Sequence, residues 1–379
     1  LAILGVFIYK APARKMIIIG VTGTKGKTST VNFIHSVLSE GGQKVGLIST
    51  ANIKIGEKDF PNKYHMSMPG RFILQKFLRE MKNAGCKYVV LEVTSEGIKQ
   101  FRHLGLFLDV AIFTNLSPEH LASHGGSFVK YRETKMRIFK RYIFDKLKLI
   151  IVNADDENSN YFFEKQDYKL NILGKFNIYN ALPAILLGRK YGLSTDQIKS
   201  GLLKLNLIPG RMELIEEGQN FKVIVDYAHE KLSINSLLDS AANLKKNPIG
   251  NKIIIVLGGD GGGRDEQRLF DMGEAVGKKA DTVIVSNSDP YFDDEFILKK
   301  KIAREAEKFG KIKDKNLFII LDRVEAIRKA ISIAREGDVV LLATRGSLDT
   351  MSIKGQNIPS DDREIAKEEI LNILRNKNI

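Results

Sequence analysis

"MIIIGVTGTKGKTST", residues 16–30, runs from an unbroken apolar stretch into a segment with three glycines, two lysines and four threonines. The apolar part reads as a buried β-strand and the rest as a loop shaped for an anion. Glycines let backbone N–H groups converge on a phosphate, the following helix adds its positive end, and Lys27 supplies mobile charge. Thr28 is placed to hold a magnesium ion. The strict spacing G-x-x-x-x-G-K-[ST] fails in one feature, because Val21 stands where its first glycine belongs. On the loop alone, a glycine-rich turn without a ligand stays open beside nucleotide binding.

Working outward, Val31, Ile34, Val37 and Leu38 fall on one helical face, and Gly41 and Gly42 stop that helix. Short β-branched runs alternate with helix-length segments along the rest of the chain. They are "KVGLIS", "YVVLEV", "DVAIFTN" and "LIIVN", then "KVIVD", "IIIVLGG", "TVIVS", "LFIIL" and "DVVLLA". Runs this apolar predict parallel strands with helices on both faces. The pattern is punctuated at "LIPGRME", residues 207–213, by Pro209 and Gly210. Two α/β domains are expected: a P-loop-type, mostly parallel sheet over 16–208, and a Rossmann-like domain over 209–379. Residues 1–15 read as a linker or the remnant of a preceding domain.

The length of 379 residues allows two cores, and 43% hydrophobic with 27% charged residues argues against disorder. A single cysteine, Cys86, rules out an intramolecular disulfide and points to a reducing, cytoplasmic setting. "LAILGVFIY", residues 1–9, is too short to span a bilayer and has no basic segment before it, so neither membrane insertion nor a signal peptide is expected. The chain starts with Leu, which reads as the lack of its natural start. The net charge of +14 suits anionic partners, with lysines spread over solvated faces as the plainer reading. No basic run is interleaved with aromatics, so nucleic acid is not an expected partner. A monomer is expected.

Three further stretches supply company for the loop. "LEVTSEG" ends a strand and offers Glu92 as a metal ligand; "TNLSPEHLASHG" offers His120; "YRETKMRIF" offers Lys135 in a helical setting. Taken singly, Glu92 reads equally as a helix cap, His120 as a satisfied polar residue and Lys135 as a solvated lysine. Taken in order with "GKFNIYNALPAI", "IPGRME" and "VIVDYAH", they resemble the Mur ligases from about residue 4 to the C-terminus. Within that family the resemblance is to the branch that adds the third residue of the peptidoglycan stem peptide. Members share the loop form T-G-T-x-G-K-T, so Val21 is a family trait.

The resemblance implies an ATP-dependent ligase that forms an amide bond through an acyl phosphate. Its substrates would be UDP-N-acetylmuramoyl-L-alanyl-D-glutamate and a free amino acid, with ATP and magnesium as cofactors. Gly23, Thr24, Lys25, Gly26, Lys27, Thr28 and Ser29 would cradle the phosphates, with Asn177 and Asn180 toward the adenine. Arg211 and Asp226 match positions that meet the nucleotide's phosphate and ribose. Lys27, Thr28 and Glu92 would neutralise the transferring phosphoryl group with one magnesium ion. His120 and Lys135 would hold a second, Lys135 as a carbamate, because an ammonium cannot ligate a cation. Ser49, Thr50, Thr94, Ser95 and Arg102 fall at muramoyl-dipeptide positions, and Arg264 at the position for the amino acid's α-carboxylate.

The chain also departs from the family. The N-terminal domain that binds much of the UDP group is expected to be missing. The D-N-P-R box appears as Ser288, Asp289, Pro290 and Tyr291, so a tyrosine replaces the arginine that clamps a distal carboxylate. The G-K-G-H-E box appears within "TRGSLDT", with Leu348 in the acidic position. Selection of diaminopimelate by the usual contacts is therefore not expected. "DYAHEK" lacks the usual Thr-Pro, and Glu96 stands where histidine is common. Rival readings are a folylpolyglutamate-synthetase-like ligase and a non-catalytic ATP-binding partner of another cell-wall enzyme. A nucleic-acid ATPase is more distant, with no arginine finger in view.

Overall fold

A computed structural model describes residues 2–64, 66–116, 122–139, 147, 149–152 and 176–377. It divides into two compact units, Leu1–Ile208 and Pro209–Ile379.

The first unit opens with helix α1 (Ala2–Ile8), strand β1 (Ile17–Thr22) and helix α2 (Lys27–Glu40). A meander of β2 (Val45–Ile48), β3 (Asn52–Ile55) and β4 (Lys58–Pro61) leads to α3 (Arg71–Asn83) and β5 (Tyr88–Glu92). Then come α4 (Ser95–Lys99), β6 (Val110–Phe113), α5 (Phe128–Met136), β7 (Leu149–Val152), α6 (Phe176–Lys190) and α7 (Thr195–Lys204). The sheet order is β4-β3-β2-β5-β1-β6-β7, parallel except for the β2–β3–β4 edge. Successive residues of a strand point to opposite faces, so β1 feeds two cores. Ile19 and Val21 pack with Val31, Ile34 and Val37 of α2 and with Ala184 and Leu187 of α6. Ile18 packs on the other side with Leu74, Leu78 and Met81 of α3. Burying each such aliphatic side chain is worth roughly 1.5–3 kcal/mol, which fixes β1 and the loop at its end.

The second unit begins with β8 (Glu213–Ile215), β9 (Lys222–Val225), α8 (Lys231–Ala242), β10 (Ile253–Gly259) and α9 (Gln267–Lys279). It continues through β11 (Thr282–Asn287), α10 (Glu295–Glu307), β12 (Leu317–Ile319), α11 (Arg323–Ile333) and β13 (Val339–Leu342). A hairpin of β14 (Thr350–Ile353) and β15 (Gln356–Pro359) precedes α12 (Asp362–Lys377). The order β12-β11-β10-β13-β9-β8 is parallel but for β8. Val256, Ile284 and Val340 meet Ile327, Ile331 and Ile370 of α11 and α12 on one face. The expected mostly parallel α/β architecture is present in both sheets. The two antiparallel edges and the β14–β15 hairpin are additions to the sequence reading: their strands are short and partly polar, so no continuous apolar run marks them.

Candidate functional site

The stretch Gly23–Gly26 links the end of β1 to the first turn of α2. Val21 lies inside β1, fully buried and paired with Glu92 of β5, so the loop bends only after Thr22. Gly26 sits at φ +81°, and a Cβ there would stand 2.2 Å from Asn180 Oδ1. Gly23 is equally constrained, since its Cβ would come within 1.9 Å of Thr114 Oγ1. These two glycines are demanded by close approach of α6 and of the β6 end, as well as by backbone conformation.

Around the loop the cations converge. Lys27 Nζ curls back to donate to Gly23 O and Thr24 O, both at 2.9 Å. Lys135 Nζ, buried on α5, donates to the same Gly23 O at 2.8 Å. Two ammonium groups on one carbonyl, at the positive end of a 14-residue helix, make a strongly electropositive point. Lys135 also lies over the Tyr131 ring, whose hydroxyl is 3.2 Å from Thr24 Oγ1. Lys25 is braced on both sides: its N–H donates to Asn115 Oδ1 at 2.8 Å, and its carbonyl accepts from Thr114 Oγ1 at 2.7 Å.

Glu92, 1% exposed at the end of β5, is the buried carboxylate of this edge. Its Oε1 accepts from Thr28 Oγ1 at 2.8 Å and from Thr50 N at 2.7 Å, and its Oε2 from Thr50 Oγ1 at 3.0 Å. Asn177 and Asn180 are buried and joined by a 2.8 Å bond, with Asn180 against Gly26. Ser29 is buried in the first turn of α2.

The remaining positions expected to meet the muramoyl dipeptide are less convergent. Thr94 caps α4 by accepting from Gly97 N, and Ser95 is buried in that helix's first turn. The Ser49 hydroxyl is used within its own turn, bonded to Asn52 O at 2.9 Å. Arg102 donates to Met68 O and to Gln100 Oε1. His120 lies outside the described residues.

In the second unit, Arg211 stacks on Tyr227 with its guanidinium 4.6 Å from the ring centroid. Asp226, at the end of β9, accepts from Met212 N and Ala228 N, both at 2.8 Å. At the ends of β10 and β11, Arg264 Nη1 donates to Gly261 O at 2.9 Å and Nη2 to Tyr291 Oη at 3.2 Å. Asp260 beside them is held near 2: burial alone would raise it, but Arg268 and Arg264 outweigh that and keep the carboxylate ionised. Asp289 Oδ1 accepts from Ser352 N at 2.8 Å and faces the buried Arg345 at 3.6 Å. Pro290 is buried next to it, and Leu348 is half-buried in the turn after Arg345.

The Mur ligase middle domain matches residues 21–169, and the Mur ligase, glutamate ligase domain matches residues 210–346. A UDP-N-acetylmuramoyl-L-alanyl-D-glutamate--2,6-diaminopimelate ligase of Geobacillus kaustophilus is 33% identical, over 97% of this chain and 81% of its own length. The chain belongs to the Mur ligase family. A UDP-N-acetylmuramyl-tripeptide synthetase of Roseiflexus is 32% identical over the same shares. The folylpolyglutamate synthase of Mycobacterium tuberculosis, solved with ADP and AMPPCP, superposes with a TM-score of 0.70 at 15% identity, covering 98% of this chain and 94% of that one. At that identity the likeness is one of fold.

With the Mur ligase family established, two departures acquire a local explanation. Glu230, in place of threonine, caps α8 by accepting from Leu232 N and Ser233 N, so the cap survives the exchange. Glu96, in place of histidine, accepts from Gln100 Nε2 at 2.7 Å within α4. Sequence reading overlooked Thr114, Asn115 and Tyr131 as braces of the phosphate loop. The quoted "TN" at the end of β6 was the available signal for the first two; Tyr131 had none, being one aromatic on a helix.

Proposed function

We propose that this Mur ligase joins an amino acid to the glutamyl carboxylate of UDP-N-acetylmuramoyl-L-alanyl-D-glutamate, with ATP as the phosphoryl donor. The observation that carries this reading is the placement of Lys27 and the α2 N-terminus at Gly23, beside the buried carboxylate of Glu92. A carboxylate oxygen of the substrate takes the γ-phosphoryl group and ADP leaves. The amine then attacks the acyl carbon, phosphate departs and the nitrogen gives up a proton.

Both reactants of the first step are anions, so repulsion between them dominates the barrier. Gly23, Thr24, Lys25, Gly26 and Ser29 cradle the phosphates, while Lys27 exchanges its two carbonyl partners for phosphate oxygens. Asn177 and Asn180 face the adenine, and Arg211 and Asp226 serve the phosphate and ribose. The Thr28 hydroxyl and Glu92, 2.8 Å apart, are oxygen donors of the kind magnesium takes, so the residues fit that ion. Bound there, magnesium spreads the charge of the transferring group. Among the described residues no three of His, Cys, Asp and Glu gather into a metal cage. Carbamylation of Lys135 turns a donor into an oxygen ligand, for which His120 is the partner.

Thr50, which already touches Glu92, orients the acceptor with Thr94, Ser95 and Arg102, while Ser49 supports the turn. Arg264 takes the α-carboxylate of the amino acid, with Asp289, Pro290 and Tyr291 around its side chain. The proposed setting is the cytoplasm and the proposed state a monomer. Among the described residues no helix is long and apolar enough to cross a membrane. The test is phosphate release that requires ATP, the muramoyl dipeptide and an amino acid together. Hydrolysis indifferent to the dipeptide would overturn the reading.

A further inference from the structure

The Arg264 guanidinium already has an oxygen at each of its nitrogens. Nη1 donates to Gly261 O at 2.9 Å, Nη2 to Tyr291 Oη at 3.2 Å, and Nε lies 3.8 Å from Asp260 Oδ2. The guanidinium also lies over the Tyr291 ring, 5.0 Å from its centroid. Of the guanidinium's five N–H donors two make these hydrogen bonds, and a carboxylate that engages the fork through Nη2 competes with the Tyr291 hydroxyl bonded there.

Two of the three oxygens are fixed. Gly261 is tied by its own N–H to Asp289 O at 2.9 Å. Asp260 is held by Arg268 Nη2 at 3.4 Å and by Asp289 N at 3.3 Å. The third belongs to a half-exposed phenol. Its main chain cannot follow it: Tyr291 N donates to Ser352 O at 3.0 Å, Tyr291 O accepts from Lys354 N, and the residue is bridged to Ile353 of β14. At φ +56° the residue is held in the left-handed region by those bonds, so only its side-chain torsions are free. The ring is set close to the glycine turn: a Cβ on Gly262 would stand 3.0 Å from Tyr291 Cδ2.

We infer that Tyr291 is a gate on the amino-acid site, its hydroxyl occupying Arg264 until the α-carboxylate of the incoming amino acid takes its place. This rests on the reading of Arg264 as the carboxylate anchor. The phenol turns about a fixed post and, once turned, brings an uncharged ring to the substrate side chain. Every amino acid therefore binds against the loss of one arginine–phenol hydrogen bond. Competition of this kind lowers apparent affinity in proportion to the fraction of sites with Arg264 released.

The experiment measures binding to the full chain by calorimetry, with a non-hydrolysable ATP analogue and the muramoyl dipeptide present. Lysine, ornithine, alanine and diaminopimelate are offered separately, and the amide of the amino acid that binds best serves as the control without a carboxylate. Tyr291→Phe keeps the ring over Arg264 and removes only the hydroxyl. One net hydrogen bond corresponds to roughly three- to tenfold, so the variant binds the amino acid about that much more tightly. Its affinity for the amide stays unchanged. Equal or weaker binding of the amino acid by a folded Tyr291→Phe protein overturns the gate, as does equal tightening for the amide. Arg264→Ala separates the two readings. If it abolishes binding while Tyr291→Phe has no effect, the gate alone fails; if Arg264→Ala leaves binding intact, the anchor fails. Absence of binding of all four amino acids by every variant overturns both.

Discussion

The glycine loop after β1 and the buried arginines after β12 and β13 both lie beyond the carboxyl ends of parallel strands, but their cations are held in opposite ways. Lys27 and Lys135 both donate to the main-chain carbonyl of Gly23, a neutral acceptor. In the second unit Arg323 and Arg345 are set among carboxylates. Arg323, 3% exposed, grips the fully buried Asp362 through Nε at 3.1 Å and Nη2 at 2.6 Å. Arg345, fully buried, lies 3.9 Å from the same carboxylate and donates to Thr350 O and Ser360 O. The first arrangement is ready to exchange partners; the second fixes the loops that surround Asp289 and Tyr291. A cation's function here follows from what it must give up.

The largest expected effect tests the fixed side of that contrast. Asp362→Ala leaves the buried Arg323 without its carboxylate and Arg345 with Asp289 alone, and breaking a buried ion pair from one side costs about 3–5 kcal/mol. Thermal unfolding of the second unit is expected to fall by on the order of 10 °C. A loss of only a degree or two would show that the carbonyl partners of Arg323 and Arg345 suffice.

The exchangeable side is tested by activity. Lys27→Ala and Glu92→Ala are each expected to lower ligation by about 10²- to 10³-fold without unfolding the chain. Near-normal phosphate release from folded Glu92→Ala would remove the metal role of that carboxylate. His120→Ala should behave alike. Lys135→Ala should lose activity that short carboxylates partly restore, because they replace a carbamate's oxygens. Failure of every carboxylate to rescue would speak for Lys135 acting as the ammonium that bonds Gly23.

Amino-acid choice comes next in size. Diaminopimelate brings a second ammonium and carboxylate, and burying those without partners costs several kcal/mol. Tyr291 and Leu348 stand where the family keeps charged groups, and neither compensates a zwitterion. A kcat/KM for lysine at least about tenfold above that for diaminopimelate is expected. The reverse preference, in keeping with the name of the Geobacillus relative, would show that other residues rebuilt the clamp.

Legibility from sequence follows the same division. The ten apolar runs became strands β1, β2, β5–β7 and β9–β13, because strands covered on both faces tend to be apolar throughout. The edge strands around "NIKIGEKDFP" and "TMSIKGQNIP" alternate with polar residues and carry no such mark. The phosphate loop was legible because glycines at fixed spacing have few other uses. Strand order, the shared Gly23 carbonyl and the Arg264–Tyr291 contact were not, since they depend on which side chains long-range packing brings together.

The smallest effect concerns a cation that neither exchanges nor is paired. Lys299 on α10 is fully buried, and its Nζ has no hydrogen-bond partner among the described residues. Burial pushes its pKa from 10.5 down to about 8, with Glu295 and Asp260 opposing the shift. Between those values the unfolded chain holds a proton that the folded chain has released. The unfolded state then binds more protons, so stability rises as pH climbs from about 8 to 10.5 and is lowest below that window. Lys299→Met keeps the length of the side chain and removes the charge, and is expected to stabilise the protein by about 1 kcal/mol at pH 7, or about 2–4 °C. In the variant the rise between pH 8 and 10.5 should flatten by the contribution of this one group. Destabilisation by Lys299→Met at neutral pH would mean that the ammonium balances Glu295 and Asp260 more strongly than burial penalises it. Lys299 would then belong with Arg323 and Arg345 as a fixed cation of the second unit.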